Sequence, residues 1–272
     1  MARLSTIAAF GFDAFDPPAQ LRLYRQMGCR SCQFYRNEQN PPTHTDARRI
    51  AEDAGLPFDS VHGVFGPTYD PSSPDEPTRR ATIDVYRREG DLAIELDSRM
   101  IIVHPASLAQ PGDDRSEATR HLRVTALRRS LDDLAAIGRS LGVTYLMENM
   151  PGNYLLGSDP AQLAQFIRDA AGPHVRMCFD TGHAHMTGSA SPALHQCLDV
   201  VSYLHITDNN GQADSHTIPG QGTIDWQALA DPIRQLHGDT PAMLELFETE
   251  QSLRDQLANN LPRRLEAWLS LA

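Results

Sequence analysis

Lysine is absent: all 24 basic residues of this 272-residue chain are arginine. A lysine Schiff base, with a carbonyl substrate or with pyridoxal phosphate, is therefore excluded, and so is a Walker A phosphate loop. Cysteine is scarce, at four residues, of which Cys29 and Cys32 form a C-x-x-C pair. A structural zinc site would want a second close pair, and Cys178 and Cys197 do not supply one. The run CRSCQFY around the first pair reads as a strand, where positions three apart face opposite sides. Buried thiols are the expectation. Long apolar runs are missing too, none nearing the roughly 18 residues of a spanning helix. The opening MARLSTIAAFGFDAFD meets Gly11 and Asp13 early and offers no small-residue cleavage site. No membrane partner is expected, and the cytoplasm is the expected compartment. Basic charge is short as well: 35 acidic residues leave a net charge of −11. Phosphate contacts want clustered cations, so nucleic acid is not the expected partner.

What is present is a series of strand-sized apolar runs: LSTIAAF (4–10), CRSCQFY (29–35), DSVHGV (59–64), MIIVH (100–104), VTYLME (143–148), VRMCFD (175–180), VVSYLH (200–205) and AMLELF (242–247). Several are apolar without alternation, as strands covered on both faces should be. Helical patterns lie between them. In 116–141, Leu127, Leu131, Leu134, Gly138 and Leu141 recur three or four apart, with Arg and Asp on the other face. Thr43–Ala54, Asp159–Ala170, Asp225–Leu236 and Thr249–Leu269 read similarly. The arginine pairs 79–80, 87–88, 128–129 and 263–264 fall in such helices and read as solvated faces. Eight strands alternating with helices over this length predict a single-domain (β/α)8 TIM barrel spanning 1–272. A doubly wound sheet usually shows a Gly-rich loop after its first strand, and GFDAFDPP is not one.

The chemistry gathers where the strands end. The third run ends near His62, the fourth on His104, the fifth on Glu148, the sixth on Asp180, the seventh on His205 and the eighth near Glu245. In a barrel those ends meet at one mouth. Burying so many ionisable groups together is very costly without a cation or extensive pairing. After the sixth run, D180-T-G-H183-A-H185 brings His183 back to the same mouth, whereas His185 reads as structural or as a residue supporting the site from behind. After the seventh, Asp214 and His216 are one residue apart, so an extended loop would aim both at one centre. Gly220 and Gly222 suit a tight turn or close backbone approach to a ligand, and Asp208 reads as a turn former.

The segments ENMPG (148–152), MCFDTGHAHMTG (177–188), YLHITDNNGQADSHTIPGQGTIDW (203–226) and AMLELFE (242–248) resemble the xylose-isomerase-like TIM-barrel superfamily. That superfamily holds sugar isomerases and epimerases, inosose dehydratase and endonuclease IV. The resemblance implies a four-ligand divalent metal site at Glu148, Asp180, His205 and Glu245. It also implies that His62, His104, His183, Asp214 and His216 bind substrate or, as in endonuclease IV, further metal. ITDNNGQ and PGQGTIDW look like the sugar branch. His216 departs from it, standing where ketohexose 3-epimerases carry a substrate-binding Arg three residues before the PGxG turn.

An oxygen-rich set with one histidine suits Mn2+, Zn2+, Mg2+ or Co2+, and spacing does not choose among them. The activity implied is isomerisation or epimerisation of a sugar, keto-sugar or cyclitol by α-proton transfer through a metal-stabilised enediolate, or a related dehydration. Glu148 and Glu245 are the expected acid–base pair, flanking the substrate from the fifth and eighth strands. Two other readings stand beside it: an endonuclease-IV-like zinc phosphodiesterase acting on DNA, and a catalytically silent metal-binding subunit. The expected partner is a small sugar or polyol, with a homodimer or homotetramer as the expected assembly.

Overall fold

The computed structural model describes residues 2–170 and 172–269; Met1, Ala171 and residues 270–272 of the expected 1–272 domain lie outside the described residues. Among the described residues, eight parallel strands close into a barrel in chain order: β1 Arg3–Phe10, β2 Ser31–Arg36, β3 Phe58–His62, β4 Met100–Val103, β5 Thr144–Glu148, β6 Val175–Asp180, β7 Val201–Ile206 and β8 Pro241–Leu244. The connecting helices are α1 Pro17–Gln26, α2 His44–Asp53, α3 Glu76–Glu95, α4 Glu117–Leu141, α5 Pro160–Asp169, α6 Thr181–Thr187, α7 Ala190–His195, α8 Trp226–Gln235, α9 Glu250–Ala258 and α10 Leu261–Leu269. This is the expected (β/α)8 architecture. The helices start where capping chemistry places them. Asp16, Asp159 and Asp225 each accept the N–H three residues on, at 3.0–3.1 Å, satisfying an otherwise orphaned donor. Among the described residues, no helix is long and apolar enough to cross a membrane.

Strand alternation sorts the side chains into layers. Ile7, Ile102, Leu146, Cys178, Tyr203 and Met243 form a buried cluster inside the barrel. Two residues beyond five of these stand His104, Glu148, Asp180, His205 and Glu245. The ionisable ring at the mouth is thus the next inward layer up, floored by an apolar one. A register slip marks β3: Cys32 pairs with Phe58 but Gln33 with Ser60. Asp59 is the extra residue, and such a bulge lets two successive side chains turn the same way.

Two expectations are corrected. Arg79 does not lie on a solvated face; it is 3% exposed. Its guanidinium reaches across from α3 to Asp133 and Ser130 of α4, at 2.7 and 3.0 Å, and to Glu76 at 2.9 Å. Helix pairing, not solvation, explains it, since four of its N–H donors meet acceptors on α3 and α4. The stretch Thr249–Leu269 is not one helix. Asn260 adopts a left-handed backbone, φ 60°, between α9 and α10, and Pro262, lacking an N–H, suits the first turn of the next helix.

The four cysteines are free and buried. Burial pushes the Cys178 and Cys197 thiols up to about 12, and it raises Cys29 and Cys32 as well. Because the thiolate is the reactive form, a thiol reagent at pH 8 is expected to label none of the four in the folded protein and all four after denaturation. Labelling of the folded protein within minutes would contradict this.

Candidate active site

Glu148, Asp180, His205 and Glu245 converge at the carboxyl ends of β5, β6, β7 and β8, with one donor atom of each within 4.8 Å of the others. His205 Nδ1 lies 2.9 Å from Glu148 Oε1, 3.1 Å from Glu245 Oε2 and 3.9 Å from Asp180 Oδ2. All four residues are buried. Glu148 Oε2, Asp180 Oδ2 and Glu245 Oε2 accept no hydrogen bond despite being shut off from water. Burial raises the Asp180 carboxyl to about 7, with Glu148 and Glu245 adding to the effect against His183. Burial also opposes ionisation of Glu148 and Glu245, yet His205, joined by His104 at Glu148 and by His216 at Glu245, outweighs it and holds both below the ordinary carboxylate range. Against its own burial, His205 is driven well above the usual imidazole range by Cys178, Glu245 and Glu148. Anionic oxygens so gathered with unfilled lone pairs fit a divalent cation.

The other expected residues arrive at the same mouth. His104 Nε2 lies 3.3 Å and His62 Nε2 3.9 Å from Glu148 Oε2. Burial, reinforced by His104, lowers His62 to about 4, so its ring is neutral. Asp214 Oδ2 sits between His183 Nε2 at 3.1 Å and His216 Nε2 at 3.3 Å. His183 overcomes burial through Asp180 and Asp214 and rises to about 10. His216 rises to about 9 for the like reason, with Asp214 the leading partner. Three of these rings hand Nδ1 to a main-chain oxygen: His62 to Gly63, His183 to Asn149 and His216 to Glu245, at 2.8–3.1 Å. Each therefore turns Nε2 to the mouth. The loop is not extended as expected, since His216 is left-handed at φ 44°.

Asp208 and the glycines organise this loop rather than meeting a ligand. The buried Asp208 carboxylate accepts from Gly220 N, Ile224 N and Trp226 Nε1 at 2.8–3.2 Å. It is an anchor, more than the turn former expected. A Cβ on Gly222 would lie 2.2 Å from Asp208 Oδ1 and 2.3 Å from the Asn209 carbonyl oxygen. The close approach Gly222 permits is thus to this anchor. Gly222→Ala is expected to cost about 1–3 kcal/mol, as overpacking does, read from denaturant unfolding; an unchanged midpoint would refute the anchor. His185 behaves as expected, its Nε2 2.8 Å from Thr223 Oγ1 and away from the mouth.

Sequence reasoning missed the aromatic side of the mouth. Tyr35 lies edge-on to His62 at 5.3 Å between ring centroids, Phe65 faces His104 at 4.8 Å, and Phe247 meets His216 at 5.2 Å. Phe65 and Phe247 stay partly exposed, at 39% and 37%. The signal that could have found Tyr35 is its place two residues after Gln33 on β2, in step with the alternation that carries the ionisable ring.

This closed barrel, with its ligand-like ring at the strand ends, belongs to the xylose isomerase-like TIM barrel family, whose profile matches residues 4–265. Among curated proteins, it is 25% identical over 189 residues to an uncharacterized protein, MJ1311, of Methanocaldococcus jannaschii. That match covers 68% of this chain and 63% of the relative, so it spans less than two thirds of that protein's length. Among solved structures, it resembles D-psicose 3-epimerase in the presence of D-fructose (TM-score 0.77, 14% identity, 98% of this chain and 99% of that one). It likewise resembles the IOLI protein with a bound zinc atom (TM-score 0.77, 14% identity, 99% and 100%).

Proposed function

We propose that this protein is a divalent-metal-dependent isomerase or epimerase, or a related dehydratase, acting on a sugar, keto-sugar or cyclitol. The observation that carries the reading is the buried ring of Glu148, Asp180, His205 and Glu245, whose free carboxylate oxygens point at one centre. A divalent ion held by those four residues would supply Lewis acidity to adjacent carbonyl and hydroxyl oxygens. Glu148 and Glu245 stand three strands apart around the barrel, so one can take the α proton while the other returns it. His62 and His104 stand beside Glu148 with hydrogen-bonding nitrogens for substrate hydroxyls. Tyr35, Phe65 and Phe247 supply apolar faces for the C–H side of a sugar ring. The similarity to D-psicose 3-epimerase and to a zinc-bound relative supports the same direction.

The charge of the mouth favours a neutral polyol as the substrate. Among the described residues lining it there is no arginine, and Asp214 already pairs with the cationic His183 and His216. A phosphorylated sugar or a phosphodiester would find no free cation fork there. The test is incubation of the metal-loaded protein with keto-sugars and inososes in D2O. Deuterium at carbon is expected for at least one of them. No carbon-bound deuterium with any polyol, together with hydrolysis of a phosphodiester, would transfer the assignment to the phosphodiesterase reading.

A further inference from the structure

Beneath the ionisable ring the barrel interior is polar on one side only. β2 and β3 present Gln33 and Ser60 there, neither with any exposure. The bulge residue Asp59 lies below them. Its carboxylate accepts the hydroxyls of Ser5 and Tyr203, at 2.7 and 2.8 Å, and that of Ser31. Ser60 Oγ lies 2.9 Å from both Asp59 Oδ1 and Tyr203 Oη, and 3.0 Å from Gln33 Nε2. The same Gln33 nitrogen lies 3.2 Å from Nε2 of His205. Gln33 Oε1 has no hydrogen-bond partner at all. A continuous chain thus runs from a hydroxyl-caged carboxylate to the back of one ring at the mouth.

His205 is oriented opposite to its neighbours. His62, His183 and His216 use Nδ1 on the main chain, whereas His205 turns Nδ1 to Glu148 and Glu245. To ligate a cation, Nδ1 must offer its lone pair, so the ring proton must sit on Nε2. A buried N–H needs an acceptor. Two groups are in reach: the Cys178 thiol, a weak acceptor, and the Gln33 amide. As placed, that amide turns its nitrogen to Nε2 and leaves Oε1 without a partner. A half-turn of the amide would present the orphaned Oε1 to both His205 Nε2–H and Ser60 Oγ–H, while Tyr203 keeps its bond to Asp59.

We propose that Gln33 is a positioning residue of the metal centre, its amide oxygen accepting the Nε2–H of His205 so that Nδ1 is offered to a cation. This rests on the reading of Glu148, Asp180, His205 and Glu245 as a cation site. The Asp59 cage holds the amide without dictating its direction, because the Ser60 hydroxyl can both donate and accept.

The experiment compares wild type, Gln33→Leu and Gln33→Glu for Zn2+ and Mn2+ affinity, by competition against a chromophoric chelator. Gln33→Leu keeps the volume and removes the acceptor; it is expected to weaken binding about 10–100-fold, as loss of a ligand's outer partner does. Gln33→Glu keeps an acceptor and is expected to stay within a few-fold of wild type. Nitrogen NMR of wild type with Zn2+ bound should show the His205 proton on Nε2, with the Gln33 amide shifted from its metal-free position. Equal affinities in all three proteins overturn the inference, as does an unmoved Gln33 amide, which decides the matter even if Gln33→Leu does not fold. A purely structural role would lower the melting temperature of both variants and leave their affinities alike. Wild type that binds neither ion overturns the cation site itself, an outcome distinct from indifference to Gln33.

Discussion

Glu148→Gln and Glu245→Gln are each expected to cut turnover by about 10²–10⁴-fold, the usual cost of removing a general acid or base. Gln keeps the shape and one ligand oxygen, so much of the bound metal and the fold should survive. Asp180 differs from the two glutamates in its bonds: Oδ1 receives the His183 N–H at 2.6 Å, and the main chain is clamped by Asn149 through its N–H at 2.9 Å and its carbonyl at 3.0 Å. A carboxylate so held suits a fixed ligand. For chemistry through two bases, one glutamine variant should still exchange the substrate's α proton with solvent after net conversion has stopped. Near-normal turnover in both variants with metal bound would sink the assignment and move the base to His62, His104 or His183.

The second large effect concerns the metal itself. Adding Mn2+ or Zn2+ to chelator-treated protein is expected to raise the melting temperature, because the ion binds the folded ring and not the dispersed chain. At a free concentration of about 100 times Kd the gain is about 2.7 kcal/mol. Four buried groups, three of them carboxylates with an unfilled oxygen, make that gain hard to obtain any other way. Elemental analysis without a divalent metal, and no thermal shift on adding one, would refute it. The stoichiometry separates the outer residues' roles. A value near one per chain assigns His62, His104, His183, Asp214 and His216 to substrate, and a value near three assigns them to further ions.

The sequence showed the barrel clearly because each strand carries its own apolar run, and the third to eighth carry a ligand-type residue at or near their ends. Those residues are local signals, since the last residue of a parallel strand must face the mouth or the helices, and only the mouth tolerates His, Asp and Glu in concert. What stayed hidden depends on neighbours far along the chain. Arg79 looks like any helical arginine until α4 brings Asp133 beside it. Gly222 looks like a ligand-facing glycine until Asp208 is found beneath it. Gln33 carries no motif; its role appears only when β2 is set beside β3 and across from β7. The left-handed Asn260 that divides α9 from α10 was overridden in the reading by the apolar periodicity on both sides of it.

The bulge in β3 has a consequence for how this chain can change length over evolution. Cys32 pairs with Phe58 and Gln33 with Ser60, so Asp59 acts as a spacer between two halves of a strand that are each in phase with the barrel. Deleting it inverts neither half: Phe58 and Val61 already face the helix layer, and Ser60 and His62 the interior, so the cut leaves an unbroken alternation. Losing Val61 instead has no such repair, because it sets side by side two residues that now face the same way and inverts one side of the cut. Descendants of this sequence are therefore free to shed the bulge without moving His62 from the mouth; what they would lose is the carboxylate that gathers the Ser5, Ser31 and Tyr203 hydroxyls.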